Sequence, residues 1–225
     1  MWGNYDSMGL LGLFIQSVFV QNILLFNFLG MCSYLACSNK ITTAHGLGLA
    51  VTVVLTISGI LNWFIHHFVT GAGALSWAGM GAFNLSFLEL IIYISVIAGF
   101  VQVLEIVIDK FSPVLYAALG VYLPLITVNC AILGGCLFAT AREYAFLPNL
   151  VYVFGSGLGW WLAIALLASI REKLSYSNIP KGLRGMGIAF IMTGLIAMTF
   201  MALTGITLDT SKKKQGPISG FPQNP

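Results

Sequence analysis

The chain has 225 residues, 58% of them hydrophobic and 8% charged, and ten Lys and Arg against seven Asp and Glu leave a net charge of +3. A soluble domain carries about 25% charged residues, and a chain this short keeps much of itself near the surface, so the composition excludes an ordinary soluble enzyme and a disordered chain. Four cysteines are too sparse for a disulfide-stapled miniprotein, and the small, scattered positive excess excludes a nucleic-acid surface, which leaves a membrane protein.

No Asp, Glu, Lys or Arg occurs from Ser7 to Asn39, from Ile41 to Leu88, from Phe111 to Ala141, from Tyr144 to Ile170, or from Gly185 to Leu208. A membrane-spanning helix takes about 20 apolar residues, and these runs lack the in–out alternation of a barrel. They predict an all-α membrane protein with six transmembrane helices, at about 10–36, 44–68, 86–108, 114–139, 148–170 and 186–207. The third carries Glu89 and Glu105 inside its ends. The first run is too long, and lacks the basic start, for a cleaved leader. Residues 209–225, with Lys212, Lys213 and Lys214 ahead of Gly and Pro, read as a disordered polar tail after one membrane domain over residues 1–208. The Lys/Arg bias places both termini outside: Lys40, Lys110, Arg171, Lys173, Lys181 and Arg184 then lie on the cytoplasmic side, leaving Arg142 and the tail lysines outside.

Six helices divide into halves at about 10–108 and 114–207. Each half has a cysteine well into its first helix: Cys32 in Asn27-Phe-Leu-Gly-Met-Cys32, and Cys130 in Leu123-Pro-Leu-Ile-Thr-Val-Asn-Cys130. Gly46-Leu-Gly48-Leu-Ala50 in the second helix is matched weakly by Gly157-Leu-Gly159-Trp-Trp-Leu-Ala163 in the fifth. An odd number of spans per half makes any repeat an inverted one. Gly30, Pro124, Gly134 and Gly135 can interrupt the two first helices, and irregular backbone at that depth must be buried or line a site. The expectation is that Cys32 and Cys130 meet near the midplane; the plainer reading is two small residues packing helices.

The cysteines form no C-x-x-C, so zinc-ribbon, thioredoxin and c-type haem readings fail. Cys32 and Cys37 lie about 140° apart on one helix, and Cys130 and Cys136 about 240°, so one cysteine from each helix is the more natural pair. That leaves two thiolates where an all-cysteine [2Fe–2S] cluster wants four, and a metal site would need a second protein. Asn27, Thr127 and Asn129 are placed to offer hydrogen bonds to sulfur; Cys37 and Cys136 read as packing.

Ionisable groups inside spans are costly. Glu105 and Asp109 share one helix face, with Gln102 a turn before, and could collect a cation such as Na⁺ at the cytoplasmic mouth; an interfacial helix end is the alternative. Glu89 sits in a first turn, where the helix dipole favours an acid. His45, His66 and His67 read as interfacial. Gly155-Ser-Gly157-Leu-Gly159 lies inside a span and reads as close helix packing rather than a nucleotide loop. The basic stretch from Arg171 to Gly185 sets topology or docks a soluble partner.

Leu29-Gly-Met-Cys32, Leu123-Pro-Leu-Ile-Thr-Val-Asn-Cys130-Ala, and Ile170-Arg-Glu-Lys173 with Leu183-Arg-Gly185 resemble the membrane subunits shared by the Na⁺-translocating NADH:quinone oxidoreductase and the Rnf ferredoxin:NAD⁺ oxidoreductase. Phe154-Gly-Ser-Gly-Leu-Gly-Trp160 is more similar to the E-type subunits of the quinone reductase than to their Rnf counterparts. The resemblance covers residues from about 10 to 207 and implies six helices as two inverted three-helix repeats. It implies a [2Fe–2S] cluster shared with a sister six-helix subunit of the D type, two cysteines from each, with Cys32 and Cys130 as this chain's ligands. It also implies Na⁺ uptake at Glu105, with Asp109 beside it. Electrons would pass from an NADH-oxidising flavin/iron–sulfur subunit towards flavin on the B-type and C-type subunits and quinone on the A-type subunit, in a bacterial inner membrane. NADH, flavins and quinone would be held by those other subunits, so this chain would be one part of an enzyme. The alternatives are the equivalent Rnf subunit and an inverted-repeat secondary transporter.

Overall fold

The structure is a computed structural model and describes residues 9–70, 89–111, 126, 129–176, 182 and 185–204. Its described elements are helices, with no strand among them. Helix α1, Gly9–Ile15, runs into a π-helical turn at Gln16–Val20, and the chain re-enters a helix only at α2, Met31–Cys37. The first predicted span is therefore two short helices separated by residues 21–30, not one helix over 10–36.

Asn22 makes that break tolerable. It is buried, and its Oδ1 accepts from the backbone N–H of Leu24 (3.1 Å) and Leu25 (3.3 Å) while Nδ2 donates to the carbonyls of Val18 (3.1 Å) and Gly159 (2.8 Å). One side chain thus replaces part of the lost helical ladder, as buried backbone groups require. Gly30 closes the break in the left-handed region (φ 81°, ψ 18°), a conformation that favours glycine.

Helix α3 is Ile41–Ile65, prolonged by a second π-helical turn at His66–Thr70; α4 is Glu89–Phe111. Helix α5, Cys130–Ala141, starts from Asn129, whose side chain accepts from the Ala131 N–H at 3.0 Å as an N-cap. Helix α6 is Phe146–Leu174 and α7 is Met186–Thr204. Of the fourth predicted span, Pro124 and Thr127 lie outside the described residues, as do Lys181, Arg184 and the tail with Lys212 to Lys214. Three helical stretches, Ile41–Phe68, Leu90–Val107 and Phe146–Leu174, are long and apolar enough to cross a membrane; Gly9–Val20, Cys130–Ala141 and Met186–Ala202 are apolar but shorter.

Helices α3 and α6 form the central, antiparallel pair: Gly48 faces Trp161, Thr52 faces Gly157 and Gly59 faces Val153. A Cβ on Gly157 would stand 2.9 Å from the Thr52 Cα, so the contact is close because one partner has no side chain. Around this axis Trp160, Leu47, Leu55, Ile132, Ile164 and Leu167 are fully buried. Helices α4 and α5 lie against α3, and α7 against α6. On α4 the buried side chains Tyr93, Ile97 and Val101 recur every fourth residue and form one row. Exposed Leu, Ile, Phe and Met cover the outward faces, as a lipid solvent demands. Where α3 ends, Trp63 stacks on His67 (5.3 Å, 5°) and meets Phe146 edge-on (5.2 Å), an aromatic belt of the kind found at a membrane–water interface.

Candidate functional site

The break in the first span and the start of α5 touch. The Gly30 N–H donates to the Cys130 Sγ at 2.9 Å across a sequence separation of 100 residues. Cys32 follows two residues later, in the first turn of α2, where it is exposed; Cys130 is half-buried at the first position of α5. The structure thus brings the segment bearing Cys32 against the other cysteine singled out in the sequence.

Space at this contact is fully used. A Cβ on Gly30 would lie 2.5 Å from the Trp160 Nε1 and 3.0 Å from both the Ala131 Cβ and the Asn129 Oδ1. Trp160 is wholly buried, and its Nε1 finds no acceptor among the described residues; the Asn129 Nδ2 is in the same position. An unmet buried donor costs about 1–3 kcal/mol. Two of them beside a thiol that already accepts a backbone N–H make a surrounding suited to an electron-rich sulfur group.

Arginines hold the interrupted helix on both sides of its break. Arg171, near the end of α6, donates through one nitrogen to the Leu35 carbonyl (3.0 Å) and the Ser38 hydroxyl (2.7 Å), closing the C-terminal end of α2. Arg142, just after α5, donates to the Gln21 Oε1 (2.7 Å) at the start of the break, and its guanidinium lies 4.9 Å over the Tyr152 ring.

Cys37 and Cys136 are in the apolar core. No group of three or more His, Cys, Asp or Glu side chains suited to one metal ion occurs among the described residues. Cys32 and Cys130 supply two thiols, and an all-cysteine [2Fe–2S] cluster needs four. The donor chemistry fits half of such a cluster, and the remaining ligands would come from another chain.

Glu105 is half-buried near the far end of α4, one step beyond Val101 in the row begun by Tyr93; Gln102 and Asp109 are exposed. The Glu89 side chain lies outside the described residues. His45 accepts a hydrogen bond from the Trp161 Nε1 at 3.1 Å. The Gly155–Gly159 run is a packing surface: Gly155 faces Ser17, and Gly159 faces the Val18 carbonyl and Asn22. Sequence reasoning did not find Asn22 or Trp160, and it read Arg142 and Arg171 through topology and partner docking alone. The signal that could have found them was an arginine at each of two span ends, opposite a helix with an internal glycine.

A family model described as "Rnf-Nqr subunit, membrane protein" matches residues 10–207. The E subunit of the Na(+)-translocating NADH-quinone reductase of Chlamydia muridarum is 60% identical, covering 100% of this chain and 93% of its own. The protein of the same name from Chlamydia pneumoniae is 57% identical over 97% of this chain and 87% of its own. That from Psychromonas ingrahamii is 56% identical over 88% of this chain and 98% of its own. With its helical architecture and a family match over nearly its whole length, the chain belongs to the Rnf-Nqr family of membrane subunits.

Proposed function

We propose that the chain is the E-type membrane subunit of a Na⁺-translocating NADH:quinone oxidoreductase, and that Cys32 and Cys130 are two of the four thiolates of a [2Fe–2S] cluster shared with a D-type sister subunit. The observation that carries the reading is the Gly30 N–H to Cys130 Sγ contact, which joins the two cysteine-bearing segments at a break in the first span. Bound there, such a cluster supplies one-electron chemistry within the membrane.

This chain's own residues build the setting. Gly30 keeps a backbone donor on the Cys130 sulfur, and Asn129 and Trp160 bring two further N–H donors to the same place. Hydrogen bonds to cluster sulfurs favour the more negative, reduced state. Asn22, Arg142 and Arg171 fix the break so that the cysteine spacing is set before a partner arrives. The name the relatives share favours the quinone reductase over the ferredoxin-linked Rnf complex.

In this reading six crossings form two inverted halves, and the antiparallel α3–α6 pair is the expected relation between their second helices. Both termini face outside a bacterial inner membrane. Glu105, with Asp109 nearby, receives Na⁺ on the cytoplasmic side. The NADH-oxidising subunit, the B-type and C-type subunits with their flavins, and the A-type subunit with quinone complete the electron path.

The test is the complex purified with its sister subunits. Cys32→Ala and Cys130→Ala are expected to abolish the iron–sulfur electron-spin signal and NADH-to-quinone electron flow, while the NADH-oxidising subunit still reduces a soluble acceptor. Cys37→Ala and Cys136→Ala are expected to keep the signal. Loss of the signal in Cys37→Ala with retention in Cys130→Ala would refute the ligand assignment.

A further inference from the structure

At the end of the bundle away from Glu105 lies a cavity of about 30 Å³ between the end of α3, the end of α5 and the start of α6. Asn62, His66, Cys136, Thr140, Glu143 and Asn149 are among the residues that line it. Asn62 is 1% exposed, and neither its Oδ1 nor its Nδ2 makes a hydrogen bond among the described residues. The Cys136 thiol lies beside the Asn62 amide, but sulfur is a weak partner, and the geometry leaves both amide atoms unmet. Asn149, also buried, donates through Nδ2 to the Gly59 carbonyl at 3.3 Å. The volume accommodates about two water-sized particles.

The geometry points to this cavity as a second Na⁺ station, in which the Asn62 Oδ1 and the Thr140 hydroxyl coordinate the ion, one co-bound water accepts from the Asn62 Nδ2, and Glu143 supplies the balancing charge. The proposal rests on the sodium-translocating function given above and adds a site on the opposite side of the membrane from Glu105.

Hard monovalent cations take oxygen ligands, and Asn62, Thr140, Glu143 and Asn149 all present them. Arg142 donates to the Gln21 Oε1 and to the Tyr144 hydroxyl. Helix α4 links the two stations. The Tyr93 hydroxyl lies 3.0 Å from the Thr140 Oγ1 in the cavity wall, and Glu105 is twelve residues further along the same helix, about 18 Å away. Between them the row holds Ile97 and Val101, both buried and apolar. Two polar stations separated by a dry stretch are what a gated path requires, because a continuous polar file would leak.

The experiment measures quinone reduction by the purified complex against Na⁺ concentration, with K⁺ as the control salt and iron content recorded for each preparation. Asn62→Leu keeps the branched side-chain shape, though it is bulkier, and removes the oxygen; it is expected to raise the half-saturating Na⁺ at least about tenfold, with iron unchanged. Asn62→Asp is expected to lower it, which guards against misfolding of the first variant, and Thr140→Val to raise it by about threefold or more. A sodium-dependent wild type whose curve overlays those of Asn62→Leu and Asn62→Asp would show that the cavity holds only water and overturn the proposal alone. A wild-type rate indifferent to sodium would overturn the functional reading and the site with it.

Discussion

Replacing Gly30 by alanine puts a methyl group where the fold has no room. The backbone there is left-handed (φ 81°), which costs an L-residue about 1–2 kcal/mol. The new Cβ would stand 2.5 Å from the Trp160 Nε1 and 3.0 Å from the Ala131 Cβ and the Asn129 Oδ1. Trp160 is fully buried and has nowhere to go; overpacking of this kind adds about 1–3 kcal/mol. The sum, about 2–5 kcal/mol, shifts a local equilibrium about 30-fold or more towards a rearranged break. Relief comes most easily by moving residues 28–32, which carries Cys32 away and withdraws the Gly30 N–H from Cys130. The expected outcome is a complex that assembles but has lost most of its iron and its quinone reductase activity, with NADH oxidation by a soluble acceptor intact. Gly99→Ala and Gly194→Ala are the controls. Each lies in a helix with no atom within 4 Å of the added Cβ, so helix propensity favours alanine by about 1 kcal/mol and iron should be retained. A Gly30→Ala complex with wild-type iron and wild-type quinone reduction would refute the account of the site.

Asn22→Leu strands the N–H groups of Leu24 and Leu25 and should destabilise the solubilised complex by about 2–6 kcal/mol, read as a lowered melting temperature; a melt matching wild type would remove Asn22 from its structural role. Arg171→Met takes the donor from the Leu35 carbonyl and Ser38 and should cost about 1–3 kcal/mol, visible as faster proteolysis near residues 35–40. Glu105→Ala should raise the half-saturating Na⁺ about tenfold, equivalent to ~1.4 kcal/mol, with Asp109→Ala weaker because that carboxylate is more exposed and more screened. An unchanged sodium curve would return Glu105 to an interfacial helix end.

The helical runs were legible because lipid punishes charge, and the apolar stretches expected at about 44–68, 86–108, 148–170 and 186–207 fall within a few residues of α3, α4, α6 and α7. The break at 21–30 was legible only at its end, where Gly30 could interrupt the helix. Its polar residues, Gln21, Asn22 and Asn27, carry no charge to mark it, and what holds the helix open is Asn22 bonding to Gly159, a partner 137 residues away. Cys32 and Cys130 were singled out by their matching places in the two expected halves, and the Gly30 contact to the Cys130 sulfur supports the ligand role proposed for them. Trp160 was invisible for the opposite reason: a tryptophan in an apolar helix looks like packing until its unmet N–H is seen facing Gly30. Asn62 is likewise one polar residue in a long span, and only the cavity beside it gives its amide a meaning.

The contact between Gly30 and Cys130 also dictates an order of events during synthesis. The pocket draws on Asn22 and Gly30, on Asn129 and Cys130, and on Gly159 and Trp160. A nascent chain that ends before residue 159 has both cysteines and neither the wall that confines Gly30 nor the carbonyl that anchors Asn22. On the cluster reading, iron loading therefore follows insertion of α6. Truncated translation products would present the Cys32 thiol and a half-formed cleft to the bilayer, and quality control that removes them early protects the cell from stray iron chemistry as well as from misfolded protein.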